Sequence, residues 1–226
     1  MTSLTVGYWS IRGRVQPIKY LLAYANADYK LVNYDMIKKD DGTVDRDSWL
    51  NEKYTFDFDF PNVPYLIDGE FKMTQTDAIL EYLARKYNVG SDDPVACANS
   101  VMIISYVFEW FFAIAKMSYF SQDYLKDKED FLKNDLVNFL EPIDSFLKGR
   151  AWSAGDQVSV GDFWLYEIIN VQTLLSGDAV FEGFNNLLSF RDRFKQLPGI
   201  AECDEQSKHL AVFSDFAVNP LRPESN

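Results

Sequence analysis

The stretch LTVGYWSIRGRVQPIKYLLAYANADYKLVNY, residues 4–34, changes its hydrophobic period twice. Residues 4–8 form a short β-prone run that ends at Gly7-Tyr8-Trp9. Ile11-Arg12-Gly13 then leads into Gln16 to Ala25, where Ile18, Leu21, Leu22 and Ala25 fall on one helical face. Pro17 suits the first turn of such a helix. Tyr29 to Tyr34 alternates again. Two strands joined through a helix in this way lie parallel, with a right-handed crossover.

Working outward, Pro64-Tyr65-Leu66-Ile67 and Phe71-Lys72-Met73 flank Asp68-Gly69, the chemistry of a tight antiparallel turn. Thr74-Gln75-Thr76 opens a helix that reaches about Tyr87. The order βαβ then ββα predicts an α/β unit, a small mixed sheet with helices packed on it. Between Asn88 and Pro94 turn formers, charge and a proline collect, which predicts a domain boundary dividing the chain into 1–88 and 89–226. Everything after it reads as helical: Val95 to Phe120, Asp127 to Leu147 with a bend at Pro142, Ser159 to Leu175, and Leu187 to Gln196. Ser159 and Asp162 have capping-box spacing, a folding device rather than a catalytic pair.

At 226 residues and 47% hydrophobic, the chain is long and apolar enough for a substantial core. Its net charge of −12 argues against a nucleic-acid or anionic-membrane surface. Residues 1–88 carry only −2 of that charge against −10 for the remainder, so an anionic ligand is better tolerated in the first part. The start shows no basic segment followed by an apolar run, so a cytoplasmic location is expected. The longest apolar stretch, 101–117, is interrupted by Glu109 and Lys116 and reads as a buried helix. Cys97 and Cys203 match no zinc spacing and read as packed thiols; His209, the single histidine, reads as a surface residue. No metal site is expected.

Ligands of open α/β sheets collect beyond the carboxyl ends of parallel strands, where Tyr8 lies. Gln75 and Thr76 stand at a helix start, where free N–H groups attract a carboxylate or phosphate. Taken singly, each has a plainer reading: Tyr8 a half-buried phenol, Thr76 a cap, Arg46 and Lys53 solvated charges, Trp49 a packed indole. The residues alone reach no further than a small anionic ligand.

Four segments taken together resemble the cytosolic glutathione transferases, most of all the mu class, in order along the chain: residues 7–13, 45–53, 59–69 and 74–80. Ala151-Trp152-Ser153-Ala154-Gly155-Asp156 with the Ser159 to Asp162 box resembles the family's helical domain. The resemblance implies a thioredoxin-like first domain with a mixed four-stranded sheet, an all-α second domain, a homodimer, and conjugation of glutathione to small hydrophobic electrophiles in detoxification. Glutathione enters as co-substrate, with no other cofactor. By the same resemblance Tyr8 is the catalytic tyrosine, and Trp9, Arg46, Trp49, Lys53, Asn62, Val63, Gln75 and Thr76 contact glutathione. Pro64 matches a proline that is cis in the family. Glu109, supplied by the partner subunit, matches the acid that meets the γ-glutamyl ammonium; its plainer reading is an exposed helix-flank glutamate. Phe60 matches the aromatic that inserts into the other subunit.

This sequence departs from the mu pattern around the second substrate. Arg14 replaces an apolar pocket residue, and the pocket tyrosine falls on Tyr119 or, in the alternative register, Phe120 becomes its counterpart. Val63 stands for the usual Leu and Thr76 for the usual Ser. The helix from Val95 is more apolar than the pattern, with Phe108, Trp110, Phe111 and Phe112 in near succession, and an exposed version would form a sticky patch. Three functions share this scaffold: a transferase, a non-catalytic glutathione or hydrophobic-ligand carrier, and a glutathione-dependent isomerase or peroxidase.

Overall fold

The computed structural model describes residues 4–223. β1 (Leu4–Trp9), α1 (Gln16–Tyr24) and β2 (Tyr29–Tyr34) form the expected unit, the strands parallel with Leu4 opposite Tyr29 and Trp9 opposite Tyr34. The next stretch, irregular by sequence, holds a short ribbon of β3 (Ile37–Lys38) with β4 (Val44–Asp45) and one helical turn, α2 (Asp47–Leu50). β5 (Tyr65–Asp68) and β6 (Phe71–Thr74) complete a mixed sheet in the order β2-β1-β5-β6.

The hairpin turn lies one residue later than expected. Asp68 pairs with Phe71, so Gly69 and Glu70 turn the chain, with Gly69 at φ 64° in the first central position. Asp68 is drawn into the strand because α3 (Thr76–Tyr87) uses its carboxylate: Tyr82 donates to it at 2.6 Å and Lys86 pairs with it. α3 ends at Asn88 in the left-handed region.

α4 (Pro94–Phe120) starts on an Asp93 carboxylate that accepts the Ala96 N–H at 2.8 Å. It outruns the apolar stretch 101–117 and is, by length and composition alone, sufficient to cross a membrane. Val107, Trp110 and Ile114 are fully buried, and the helix packs on α7 (Val160–Ser176), with the Trp110 indole donating to Gln172 at 3.1 Å. The expected burial holds for one face only. Val95, Met102, Phe112 and Phe120 remain exposed on the other.

The single helix expected from Asp127 is divided. α5 (Tyr124–Asp130) begins earlier, on the Asp123 cap, and one π-helical turn over Phe131–Asp135 separates it from α6 (Leu136–Leu147). Pro142 sits within α6 and leaves the Asn138 carbonyl without its amide. The Tyr106 hydroxyl from α4 donates to that carbonyl at 2.6 Å. The α7 capping box forms as expected, with Asp162 accepting the N–H of Ser159 at 2.8 Å and that of Ser153 at 2.7 Å. A 3₁₀ turn at Asp178–Phe181 and helices α8 (Asn185–Lys195) and α9 (Ile200–Ser207) follow. The first and last of these have no counterpart in the sequence reading.

One core runs through both halves, joining Val6, Ile18, Leu21 and Leu80 to Phe163, Trp164 and Ile168. A smaller aromatic cluster joins Tyr34 of β2 and Tyr65 of β5 to Trp49 of α2 and Phe58. The segment after α9 returns to the β1–α1 loop, where Ala211 and Val212 accept the N–H groups of Arg12 and Gly13 at 2.8 and 3.0 Å.

Candidate functional site

The sheet register explains why residues far apart in sequence meet. Val32, Gly7, Tyr65 and Thr74 form one row across the four strands. One step past that row stand Tyr8, Pro64 and Gln75, at the carboxyl end of β1 where ligands gather. The Val63–Pro64 bond is cis. Gly7 has no room for a side chain, since a Cβ would lie 2.1 Å from the Tyr65 ring.

Tyr8 is buried, and its hydroxyl oxygen accepts the Arg14 backbone N–H at 3.0 Å. Its own proton has no acceptor among the described residues. Burial pushes this phenol up to about 12, against the opposing pull of the Arg14 N–H bond and the Arg14 charge. At neutral pH it is therefore a protonated donor. Gly13, at φ 39°, permits the close approach, because a Cβ there would lie 2.6 Å from the Tyr8 oxygen.

At the start of α3, Gln75 adopts φ 75°, a conformation that side chains other than glycine hold only under constraint and that clusters at ligand sites. Thr76 is buried and its hydroxyl finds no partner among the described residues. An orphan hydroxyl costs about 1–3 kcal/mol, so one beside the open N–H groups of a helix start is prepared for an acceptor. Trp49 stacks on Tyr65 at 5.9 Å and meets Tyr34 edge-on at 5.3 Å. This packing brings α2, flanked by exposed Arg46 and half-buried Lys53, to the same sheet edge. Trp9 is half-buried and edge-on to Tyr34. Asn62 is exposed, and its side-chain oxygen accepts the Val63 N–H at 2.9 Å, so that amide is occupied within the chain.

On the other side of Tyr8, the Arg14 guanidinium lies 5.0 Å from the Phe108 ring centre, and its Nε is buried without a partner among the described residues. Tyr119 is half-buried; its hydroxyl shares a hydrogen bond with the Ser214 hydroxyl at 3.0 Å and accepts the Ser214 N–H at 3.1 Å. Phe120 is 73% exposed. Glu109 and Phe60 do not join this cluster. Both are exposed, Phe60 at 72%, and Glu109 has no ion-pair partner among the described residues. Cys97 is half-buried and donates to the Ser91 carbonyl, Cys203 is buried with its thiol pushed up to about 11 by burial, and His209 is exposed.

Sequence reasoning missed a buried polar network behind the site. Arg12 bonds Glu167 through two nitrogens, at 3.1 and 2.6 Å, and Tyr20 at 2.9 Å. Its signal was present: a lone acid in the apolar run FWLYEIINV demands a buried cation.

A phenolic proton without an acceptor among the described residues, an unpartnered hydroxyl at a helix start and two cations along one edge suit a small, multiply anionic ligand carrying an ionisable sulfur or oxygen. Residues 4–85 match the family described as Glutathione S-transferase, N-terminal domain, and residues 108–205 match Glutathione S-transferase, C-terminal domain. Glutathione S-transferase Mu 1 of Mus musculus is 35% identical over 216 residues, covering 95% of this chain and 97% of that protein. A glutathione S-transferase of Tyrophagus putrescentiae is 37% identical over 87% of each chain. The crystal structure of the glutathione S-transferase Blo t 8 superimposes with a TM-score of 0.85 at 29% identity, over 95% of this chain and 98% of that one.

Proposed function

Because the chain belongs to the glutathione S-transferase family and is a glutathione transferase, we propose that the Tyr8 hydroxyl holds the sulfur of its co-substrate as a thiolate. A thiol of pKa about 8.5 is only about 3% ionised at pH 7, and the thiolate is the nucleophile. A phenolic donor that brings this value down by about two units contributes about 2.7 kcal/mol and makes most of the bound sulfur reactive. The observation that carries this reading is the Tyr8 proton, buried and without an acceptor among the described residues, on an oxygen that already accepts the Arg14 N–H.

The thiol proton leaves to solvent, and the sulfur lone pair forms a C–S bond to a small hydrophobic electrophile. In aromatic substitution the displaced group departs with its electron pair; in conjugate addition the resulting carbanion takes a proton. Arg46, Lys53 and the Trp49 indole N–H meet the glycyl carboxylate. Gln75, Thr76 and the α3 N–H groups meet the γ-glutamyl carboxylate, while Trp9, Asn62 and Val63 line the peptide. Glu109 of the partner subunit meets the ammonium, and Phe60 locks into that subunit. Arg14 and Tyr119 face the electrophile. On this reading the protein is a cytoplasmic homodimer, glutathione is held by residues 1–88, and residues 89–226 supply most of the second pocket.

A second reading, a carrier without turnover, is favoured by one feature: the Arg14 guanidinium over Phe108 narrows the side where an electrophile would enter. A chlorodinitrobenzene conjugation assay separates the two. Tyr8→Phe should lower kcat at pH 7 by roughly 10- to 100-fold with glutathione KM nearly unchanged. Absence of turnover above the uncatalysed rate in the unaltered protein, despite retention on immobilised glutathione, would replace the transferase mechanism with the carrier.

A further inference from the structure

Arg12 is only 5% exposed and Glu167 is fully buried, and the two meet across the halves of the molecule, one on the β1–α1 loop and one on α7. The pair does not stand alone. The Tyr20 hydroxyl accepts from Arg12 and donates to Asp204 on α9 at 2.6 Å, and the Tyr166 hydroxyl donates to the other Asp204 oxygen at 2.6 Å. Asn170 donates to Tyr20 at 3.2 Å, and Lys19 donates to Ser207 at 2.6 Å alongside. A buried ion pair adds little net stability over apolar residues of the same volume, whereas a well-bonded one fixes geometry. The question is what geometry this one fixes.

Three successive residues answer it. The Arg12 and Gly13 amides are held by the Ala211 and Val212 carbonyls, the Arg12 side chain by Glu167 and Tyr20, and the next amide, that of Arg14, donates to Tyr8. Loop residues 12–13 are thus clamped from the helical half, and the third delivers its N–H to the phenol. An N–H bond to a hydroxyl oxygen makes that hydroxyl a stronger donor, so its position bears on any charge the phenol stabilises.

We propose that Arg12 and Glu167 are positioning residues for the transfer reaction, holding the loop so that the Arg14 amide stays on the Tyr8 oxygen and the bound glutathione thiol stays acidic. This rests on the reading of Tyr8 as the donor to sulfur. It assigns the helical half a part in the chemistry of the thiol, beyond lining the second pocket.

The test is ultraviolet difference titration of the thiol in the glutathione complex, on the full-length wild type, Tyr8→Phe, the double variant Arg12→Met/Glu167→Met, and Tyr20→Phe. The double variant removes both charges together, so neither is left buried alone. The expected result is a thiol pKa higher by about half a unit or more in the double variant, a roughly threefold smaller thiolate population near neutrality. Calorimetric glutathione affinity, measured below the thiol pKa, should stay within about twofold of wild type, since no residue contacting the peptide has changed. Tyr20→Phe, a milder change that keeps the ion pair, should give a smaller rise in the same direction and decides the matter if the double variant does not fold. A folded double variant, or in its absence Tyr20→Phe, with the wild-type thiol pKa overturns the proposal while leaving Tyr8 in place. If Tyr8→Phe itself leaves the thiol pKa unmoved, the donor reading fails and this inference with it.

Discussion

The backbone N–H of Arg14 donates to the Tyr8 hydroxyl at 3.0 Å, and the residue between loop and helix that allows the approach is Gly13. A methyl group at position 13 would stand 2.6 Å from that oxygen, on a backbone with φ 39°. Gly13→Ala is expected to lose on the order of 1–3 kcal/mol of stability and to displace the phenol. Thermal unfolding and conjugation kinetics check this together; a variant that keeps both wild-type stability and kcat shows that the contact is slack.

Thr76 offers a case where stability and binding move in opposite directions. Its buried hydroxyl has no partner among the described residues, so Thr76→Val should leave the free protein as stable as before or slightly more so. The same change should weaken glutathione binding by roughly three- to tenfold, the loss of one hydrogen bond to a carboxylate. Melting curves and titration calorimetry read the two effects separately. Unaltered affinity would remove Thr76 from the ligand's contacts.

Burial pushes the Asp162 carboxyl up to about 6, against the lowering effect of the Ser153 and Ser159 bonds. The folded value lies above the ordinary carboxyl value of about 3.9, so between these limits the folded state binds the extra proton and stability falls as pH rises from about 4 to about 6. The contribution is on the order of 2–3 kcal/mol across that window. Asp162→Asn should abolish this component, and its plot of Tm against pH should descend less steeply than that of wild type between pH 4 and 6. Parallel curves would mean that the carboxylate is ionised throughout.

Phe60 is 72% exposed on a loop anchored by the Thr74 hydroxyl, which donates to the Phe60 carbonyl at 2.8 Å. An apolar ring so displayed, together with exposed Met102 and Phe112 on α4, fits a subunit interface. Phe60→Ala should shift the sedimentation coefficient toward the monomer value without lowering the content of folded secondary structure. A dimer of unchanged affinity counts against this assignment.

Much of the fold was legible because its signals are local. The period change in residues 4–34, the helix start at Pro94 and the Ser159 to Asp162 box each specify a neighbour within a few positions, and each forms. The turn after β5 was misread by one residue because Asp68 has turn chemistry but is held in the strand by Tyr82 and Lys86, and a distant partner outweighs a local preference. The π-helical turn before α6 likewise has no local mark; Pro142 announces a disturbance without giving its form. In the site, Tyr8, Gln75 and Thr76 follow from strand ends and a helix start. Arg12 with Glu167 does not, because the two lie 155 positions apart and a lone charge in an apolar run names the need for a partner without naming the partner.

The bonds from Ala211 and Val212 to the Arg12 and Gly13 amides also set an order of events during synthesis. β1, α1 and β2 emerge from the ribosome early, yet the loop between the first two elements is completed by carbonyls nearly 200 positions downstream. A nascent chain that has reached α9 already contains Tyr8 and all the residues of its sheet, while the Arg12 and Gly13 amides still lack the acceptors that the finished structure gives them.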